Sequence, residues 1–256
     1  MPIRLVDGAM KTIREIKDRA SLIIELENIE SYYEKLLGHP LKDLDGVQLP
    51  EGEEYDEAYY KRYSEYHWTP WHNGHALNLI NRTMCRSALD VGCGYGNFVL
   101  GFLHKGVDAW GLEYSRHCVE RASGELKGRV LWGDIKNEET LPRRKYDLVI
   151  GYDLFEHVPE PEAVVRNFCN LSSRWLHIKV PDIRGLDLEE SRKFDASHIT
   201  GRSISWWINE FEGNGFILLM DNEYTLLKYD PEYAQGATGA PDLHAIMRLN
   251  PFHEKR

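Results

Sequence analysis

The sequence predicts an α/β protein in which a mostly parallel sheet carries helices on both faces. Three observations predict it. From residue 88 onward, short apolar runs alternate with amphipathic helical patterns, the order a parallel sheet needs because each parallel return takes a crossover. Between the first strand pattern (Leu89, Val91) and the helix pattern that follows it (Phe98, Val99, Leu100, Phe102, Leu103) stand three glycines at alternate positions, Gly92, Gly94 and Gly96. Finally, Asp90, Glu113 and Asp134 fall at or near the ends of three successive strand patterns.

Taken in order, the chain first reads as a long helix over 10–37. Ile13, Ile16, Ala20, Ile23, Ile24, Tyr32, Leu36 and Leu37 recur at helical spacing, and Gly38-His39-Pro40 stops the run. Such a stripe can pad the core, cover an active site or pair with a second copy of the chain; packing is its commonest use. Residues 41–54 are a turn-rich connector. An aromatic segment follows (Tyr55, Tyr59, Tyr60, Tyr63, Tyr66, Trp68, Trp71) and runs into a helix through Ala76, Leu77, Leu79 and Ile80. Its rings are either a core stripe or a lid in which Tyr63, His67 or Trp68 touches a ligand. His72 and His75 lie three apart without a further ligand nearby in sequence, so no metal site is expected.

Strand patterns then recur at 88–92, 107–113, 129–133, 146–152 and 175–180, the last closed by Pro181. Helices are expected from about Ser115, near 161–172, and around Trp206, Trp207 and Phe211. Residues 182–202 read as a long polar loop. A sixth strand starts at Gly215-Phe216, and the last apolar run is Leu243 to Leu249.

Composition narrows the class. A net charge of −10 argues against a broad nucleic-acid-binding face. The four cysteines (Cys85, Cys93, Cys118, Cys169) show no paired spacing, so neither a disulfide framework nor a zinc knuckle is expected. No apolar run reaches membrane-spanning length and no signal-peptide core stands at the N-terminus. These features read as a soluble, cytoplasmic protein.

Glycine turns between strand and helix suit nucleotide-type ligands, because glycine tolerates positive φ and free N–H groups at a helix start attract negative charge. The dinucleotide fingerprint places its third glycine three residues after the second; here Gly92-x-Gly94-x-Gly96 keeps alternate spacing, and Asn97 stands where that glycine would be. With Asp90 in front, the run D-x-G-x-G-x-G resembles motif I of the class I S-adenosylmethionine-dependent methyltransferases. Tyr152-Asp153-Leu154-Phe155-Glu156-His157-Val158 resembles the "-LEH-" segment of their small-molecule branch, which includes quinone-biosynthesis and natural-product methyltransferases. The resemblance covers about residues 86–222. Tyr95 departs from it, standing where a small Thr or Ser is frequent.

The resemblance implies a Rossmann-like, mostly parallel seven-stranded sheet, with residues 1–75 as a helical extension or lid and 76–256 as the methyltransferase domain. It implies S-adenosylmethionine as cofactor, held by Asp90, Gly92, Cys93, Gly94, Glu113, Tyr114, Gly133, Asp134, Ile135, Tyr152 and Asp153. Glu113 would accept from both ribose hydroxyls, Asp134 from the adenine amine, and Ile135 would cover the ring. Three acids suit a cationic sulfonium better than a pyrophosphate. The implied reaction is in-line methyl transfer to a small-molecule acceptor. The histidines favour O- over N-methylation, because a hydroxyl benefits from a base of near-neutral pKa. His157 is the first candidate base, with a packing or capping role as its alternative. His198 is the second, in an "-H-…-GF-" arrangement completed by Gly215-Phe216. His177, inside a strand, reads as buried and satisfied. Two other functions stay open: a peptide or protein methyltransferase, and a non-catalytic cofactor-binding partner of another subunit. A base-methylating enzyme would resemble its relatives in an Asn/Asp-Pro-Pro-aromatic turn, which Tyr152-Asp153-Leu154-Phe155 does not reproduce. The long N-terminal helix makes a homodimer an expected partner arrangement. Acceptor choice falls to 41–75, 181–203 and 223–242, where no motif constrains it.

Overall fold

A computed structural model describes residues 19–38, 40–43, 55–62, 68–122, 124–181, 197–219, 226–228 and 242–250. In chain order the elements are α1 (Arg19–Leu37), α2 (Glu57–Arg62), α3 (Pro70–Thr83), β1 (Ser87–Val91), α4 (Asn97–Leu103), β2 (Asp108–Glu113), α5 (Arg116–Arg121), β3 (Val130–Trp132), β4 (Tyr146–Tyr152), α6 (Pro161–Leu171), β5 (Ser172–Pro181), α7 (Ile204–Gly213), β6 (Phe216–Leu218), β7 (Leu226–Lys228) and β8 (Asp242–Leu249). The chain divides into two compact units, one formed by 50–154 with 162–177, the other by 1–49, 155–161 and 178–256. β5 runs through both.

Strand order is β3-β2-β1-β4-β5-β8-β6, with β7 also on β8. β1 is parallel to β2 and to β4, and β2 is parallel to β3. β6 and β7 are antiparallel to β8. The α/β fold with a mostly parallel sheet is therefore the observed one. Its eighth strand, β7, is three residues long, too short for alternation to reveal.

In the first unit the chain steps from β1 outward to β2 and β3, then returns to lay β4 on the other flank of β1. That reversal is a topological switch point, and ligands of open α/β sheets bind beyond the carboxyl ends of the strands there. Leu89 of β1 and Leu148, Val149 and Ile150 of β4 are fully buried, as continuous apolar runs are when helices cover both faces of a sheet. α3 starts on Pro70, where a missing N–H costs nothing. The Thr69 N–H donates to His72 Nδ1 at 3.0 Å, so His72 closes the helix start. The predicted helix over 10–37 is helical from Arg19; its first nine positions lie outside the described residues. No described helix is long and apolar enough to cross a membrane.

Candidate active site

The glycine turn has the backbone its sequence requires. Gly92, Gly94 and Gly96 all sit at positive φ (74°, 52° and 81°), a region that other residues reach only with strain. Gly96 caps α4 from the left-handed region. Beneath the turn, Asp90 and Glu113 are each only 5% exposed. Burial, and then the neighbouring Glu113, holds the Asp90 carboxyl well above the usual range. Burial also raises Glu113, against the pull of backbone N–H donors. Those donors fix its plane: Gly94 N–H reaches Oε2 and Ser115 N–H reaches Oε1, both at 2.7 Å. A carboxylate has about four acceptor positions, and with the Tyr114 backbone as a third partner acceptor capacity still remains for a ligand hydroxyl. Two buried carboxyls, each destabilised as an anion, fit a ligand that brings hydroxyls and a positive charge.

The other predicted cofactor residues fall at the ends of the same strands. Cys93 is half-buried in the turn, and burial lifts its thiol well above its ordinary value. Tyr114, beyond β2, is 53% exposed and accepts from Trp132 Nε1 on its carbonyl at 3.0 Å. At Gly133 a Cβ would stand 2.5 Å from Leu112 Cδ1 and 2.9 Å from the Thr140 carbonyl, so only glycine lets this bend close. Asp134 Oδ1 accepts from the Lys136 N–H at 2.9 Å, and Ile135 is buried with its carbonyl bound to Asn167 Nδ2 at 2.8 Å. Tyr152 ends β4, and Asp153 follows in the left-handed region at φ 48°.

The aromatic segment splits. Tyr63 and His67 lie outside the described residues, and Trp68 is exposed, edge-on to His104 at 5.7 Å. Tyr59 and Tyr60 are instead buried with Cys118, and a Cβ on Gly94 would lie 3.9 Å from the Tyr60 ring. Ser115 Oγ donates to the Tyr55 carbonyl. Tyr95 bonds His117 Nε2 at 3.1 Å and lies beside Tyr60, with ring centroids 5.2 Å apart. The glycine turn is thus walled by aromatics that no sequence motif announces.

The predicted acceptor-side histidines come together in the second unit. His157 Nδ1 lies 2.8 Å from Ser197 Oγ and 3.2 Å from the Ser197 carbonyl. Its Nε2 is 3.8 Å from Oε1 of the buried Glu156, and the His198 ring centroid is 4.8 Å away. The backbone clamps this arrangement, since the Glu156 carbonyl accepts from Ile199 N–H at 2.8 Å and from Thr200 N–H at 3.0 Å. Donor atoms of Glu156, His157 and His198 all lie within 4.8 Å of one another, although sequence spacing suggested no such grouping. Gly215, at φ 95°, turns the chain from α7 into β6.

The profile of a family described as a methyltransferase domain matches residues 53–219. The chain belongs to this methyltransferase family. The match takes in both acids, the glycine turn and both histidine groups. The ubiquinone biosynthesis O-methyltransferase of Alkalilimnicola ehrlichii is 28% identical over 120 residues, which cover 43% of this chain and 49% of that one. That of Bordetella avium is 33% identical over 86 residues, or 32% and 36% of the two chains. The methyltransferase described here therefore spans half or less of the length of these curated relatives. The magnesium protoporphyrin IX methyltransferase of Synechocystis PCC 6803 superposes in its complexes with SAH and with SAM, at TM-scores of 0.56 and 0.54 and 15% identity. Both superpositions cover 77% of this chain, and 96% and 93% of the other. At that identity the likeness shows the fold alone, the Rossmann-like sheet of the class I methyltransferases.

Proposed function

We propose that the protein transfers a methyl group from S-adenosylmethionine to a hydroxyl of a small-molecule acceptor. The observation that carries the cofactor half is the buried Glu113 carboxylate, fixed by Gly94 and Ser115 with acceptor positions left over. Asp90, Glu113 and the positive-φ turn hold the donor; Asp134, Ile135 and Tyr114 flank its adenine end. When bound, the cofactor supplies a methyl on a sulfonium, open to in-line attack. The chain's own task is alignment and exclusion of water, contributions that reach ~7–11 kcal/mol. Likeness to quinone O-methyltransferases supports a hydroxyl acceptor, with His157 and His198 as its proposed partners. Four free thiols suit a cytoplasmic, reducing setting. In this proposal residues 1–75 are an N-terminal extension to a methyltransferase domain of 76–256, and α1, with Ile24 58% exposed, is where a second copy would pair.

Calorimetric titration with S-adenosylmethionine and S-adenosylhomocysteine tests the cofactor half, with micromolar binding of both expected. Release of S-adenosylhomocysteine in the presence of catechols and other small hydroxylated acceptors tests the rest. Absence of binding by either adenosyl ligand ends the proposal.

A further inference from the structure

We infer that Tyr152, held between His75 and His177, takes the proton that the methyl acceptor loses, and that His75 conducts it onward. The inference rests on the methyltransferase reading and adds to it the residue that does the acid–base work.

Placement is the first argument. In the β1–β4 pairing Asp90 lies opposite Ile150. Tyr152 is two residues further along β4, on the same face as Ile150, and its neighbour Leu154 meets the glycine turn: a Cβ on Gly92 would stand 3.2 Å from Leu154 Cδ1. The phenol therefore leaves the sheet at the carboxyl end of β4, at the switch point, in the same unit as Asp90 and Glu113.

Proton arithmetic is the second. The Tyr152 hydroxyl is 2.6 Å from His75 Nε2 and also hydrogen-bonds His177 Nδ1. A phenol has one proton and cannot donate to both rings. One imidazole must therefore donate to the phenol oxygen, and that donation stabilises developing negative charge on it. His177 is fully buried while His75 is half-buried, so the outward-running chain is His177 Nδ1–H to Tyr152 oxygen, and Tyr152 O–H to His75 Nε2. His75 is kept neutral, its pKa lowered to about 4 by burial and then by His72. A neutral imidazole can take a proton at Nε2 and release one from Nδ1, conducting without storing charge.

The surroundings hold this line straight. The Trp71 ring stacks on His75 at 5.1 Å and 21°. Phe98 meets His75 at 5.3 Å and Tyr152 at 5.1 Å, both edge-on. The titratable and charged groups on the packed elements are His72, His75 and Arg82 of α3, Asp90 of β1, Tyr146, Asp147 and Tyr152 of β4, and Arg174, His177 and Lys179 of β5; α4 carries none. In the reaction the new O–CH3 bond forms as the S–CH3 bond of the sulfonium breaks, the sulfur keeping the bonding pair as a neutral thioether, and the acceptor O–H bond breaks. Its proton passes to the Tyr152 oxygen while the phenol proton moves to His75 Nε2 and a proton leaves Nδ1 for water.

The test uses the full chain with Tyr152→Phe and His75→Gln. Calorimetry with S-adenosylmethionine comes first and should give unchanged affinity in His75→Gln and binding within a few-fold of the wild type in Tyr152→Phe, since that phenol stands beside the cofactor site. Ultraviolet titration of tyrosinate should then show one tyrosine ionising below the others in the wild type. That step should be missing in Tyr152→Phe and shifted in His75→Gln. With 3,4-dihydroxybenzoate as acceptor probe, Tyr152→Phe should lower kcat about 100-fold at unchanged KM and lose the rising limb of the pH profile. Superimposable tyrosinate titrations with normal cofactor binding would overturn the relay and leave the methyltransferase reading standing. A wild type that binds no cofactor would overturn both.

Discussion

Each unit carries a histidine pair, and the two are built on opposite principles. His157 and His198 gather around a buried carboxylate, Glu156, with Ser197 fixing one ring from its hydroxyl and carbonyl. His75 and His177 gather around a phenol, walled by Trp71 and Phe98. A carboxylate offers a counter-charge and so suits a ring that holds a proton or grips a polar acceptor. A phenol among aromatics offers none, and suits a ring that only passes a proton along. Similar residues thus serve different chemistry because their neighbours differ.

The sharpest way to break this comparison is to delete the two centres separately. Tyr152→Phe should cut turnover about 100-fold with KM kept, whereas His157→Ala should raise the acceptor KM more than it lowers kcat. Steady-state kinetics on both variants decides; the reverse pattern would move the base to the second unit. Cofactor affinity should stay at the wild-type value in His157→Ala and within a few-fold of it in Tyr152→Phe, measured by calorimetry. Glu113→Gln should do the opposite. Its amide NH2 would face the N–H of Gly94 or Ser115 across 2.7 Å, replacing an acceptor by a donor. Affinity for S-adenosylmethionine should fall about 100-fold, or about 3 kcal/mol, and turnover at saturating cofactor should survive better than in Tyr152→Phe.

What could be read ahead of the structure follows the range of each interaction. The glycine turn, its acids and the strand–helix alternation are local, so spacing alone exposed them, and the family resemblance supplied their ligand. His157 was visible because it stands in a recognisable run after β4. Its anchor at Ser197, 40 residues on, was not. The phenol-centred chain was invisible for the same reason: His75 and Tyr152 are 77 residues apart, Tyr152 and His177 a further 25. Each looked ordinary alone, as half of an unlikely metal pair, a cofactor contact and a buried strand residue. Only the β4–β5 pairing and the packing of α3 make them one group.

The neutral state of His75 gives the comparison a pH signature. Its folded pKa of about 4 lies below the ordinary 6.5, so between those values the unfolded chain binds a proton that the folded chain refuses. Stability contributed by this site is complete above pH 6.5 and is lost as pH falls toward 4, by about 3 kcal/mol at most. Urea denaturation at pH 7 and pH 5 should show the loss in the wild type, and His75→Gln should flatten it. A slope that persists in His75→Gln would place the titrating group elsewhere.

The smallest effect probes the second unit's anchor. Ser197→Ala removes the hydroxyl 2.8 Å from His157 Nδ1 and leaves the carbonyl at 3.2 Å. The ring keeps one partner, so the stability cost should be only about 1 kcal/mol. The carbonyl can only accept, which commits Nδ1 to carrying a proton and leaves Nε2 facing Glu156 Oε1 at 3.8 Å. If His157 grips the acceptor through that nitrogen, Ser197→Ala should change the acceptor KM by a few-fold at most, since the orientation survives on the carbonyl alone. A large loss of turnover in Ser197→Ala would instead make the hydroxyl itself a working part of the site, and the two histidine groups would then be more alike than their surroundings suggest.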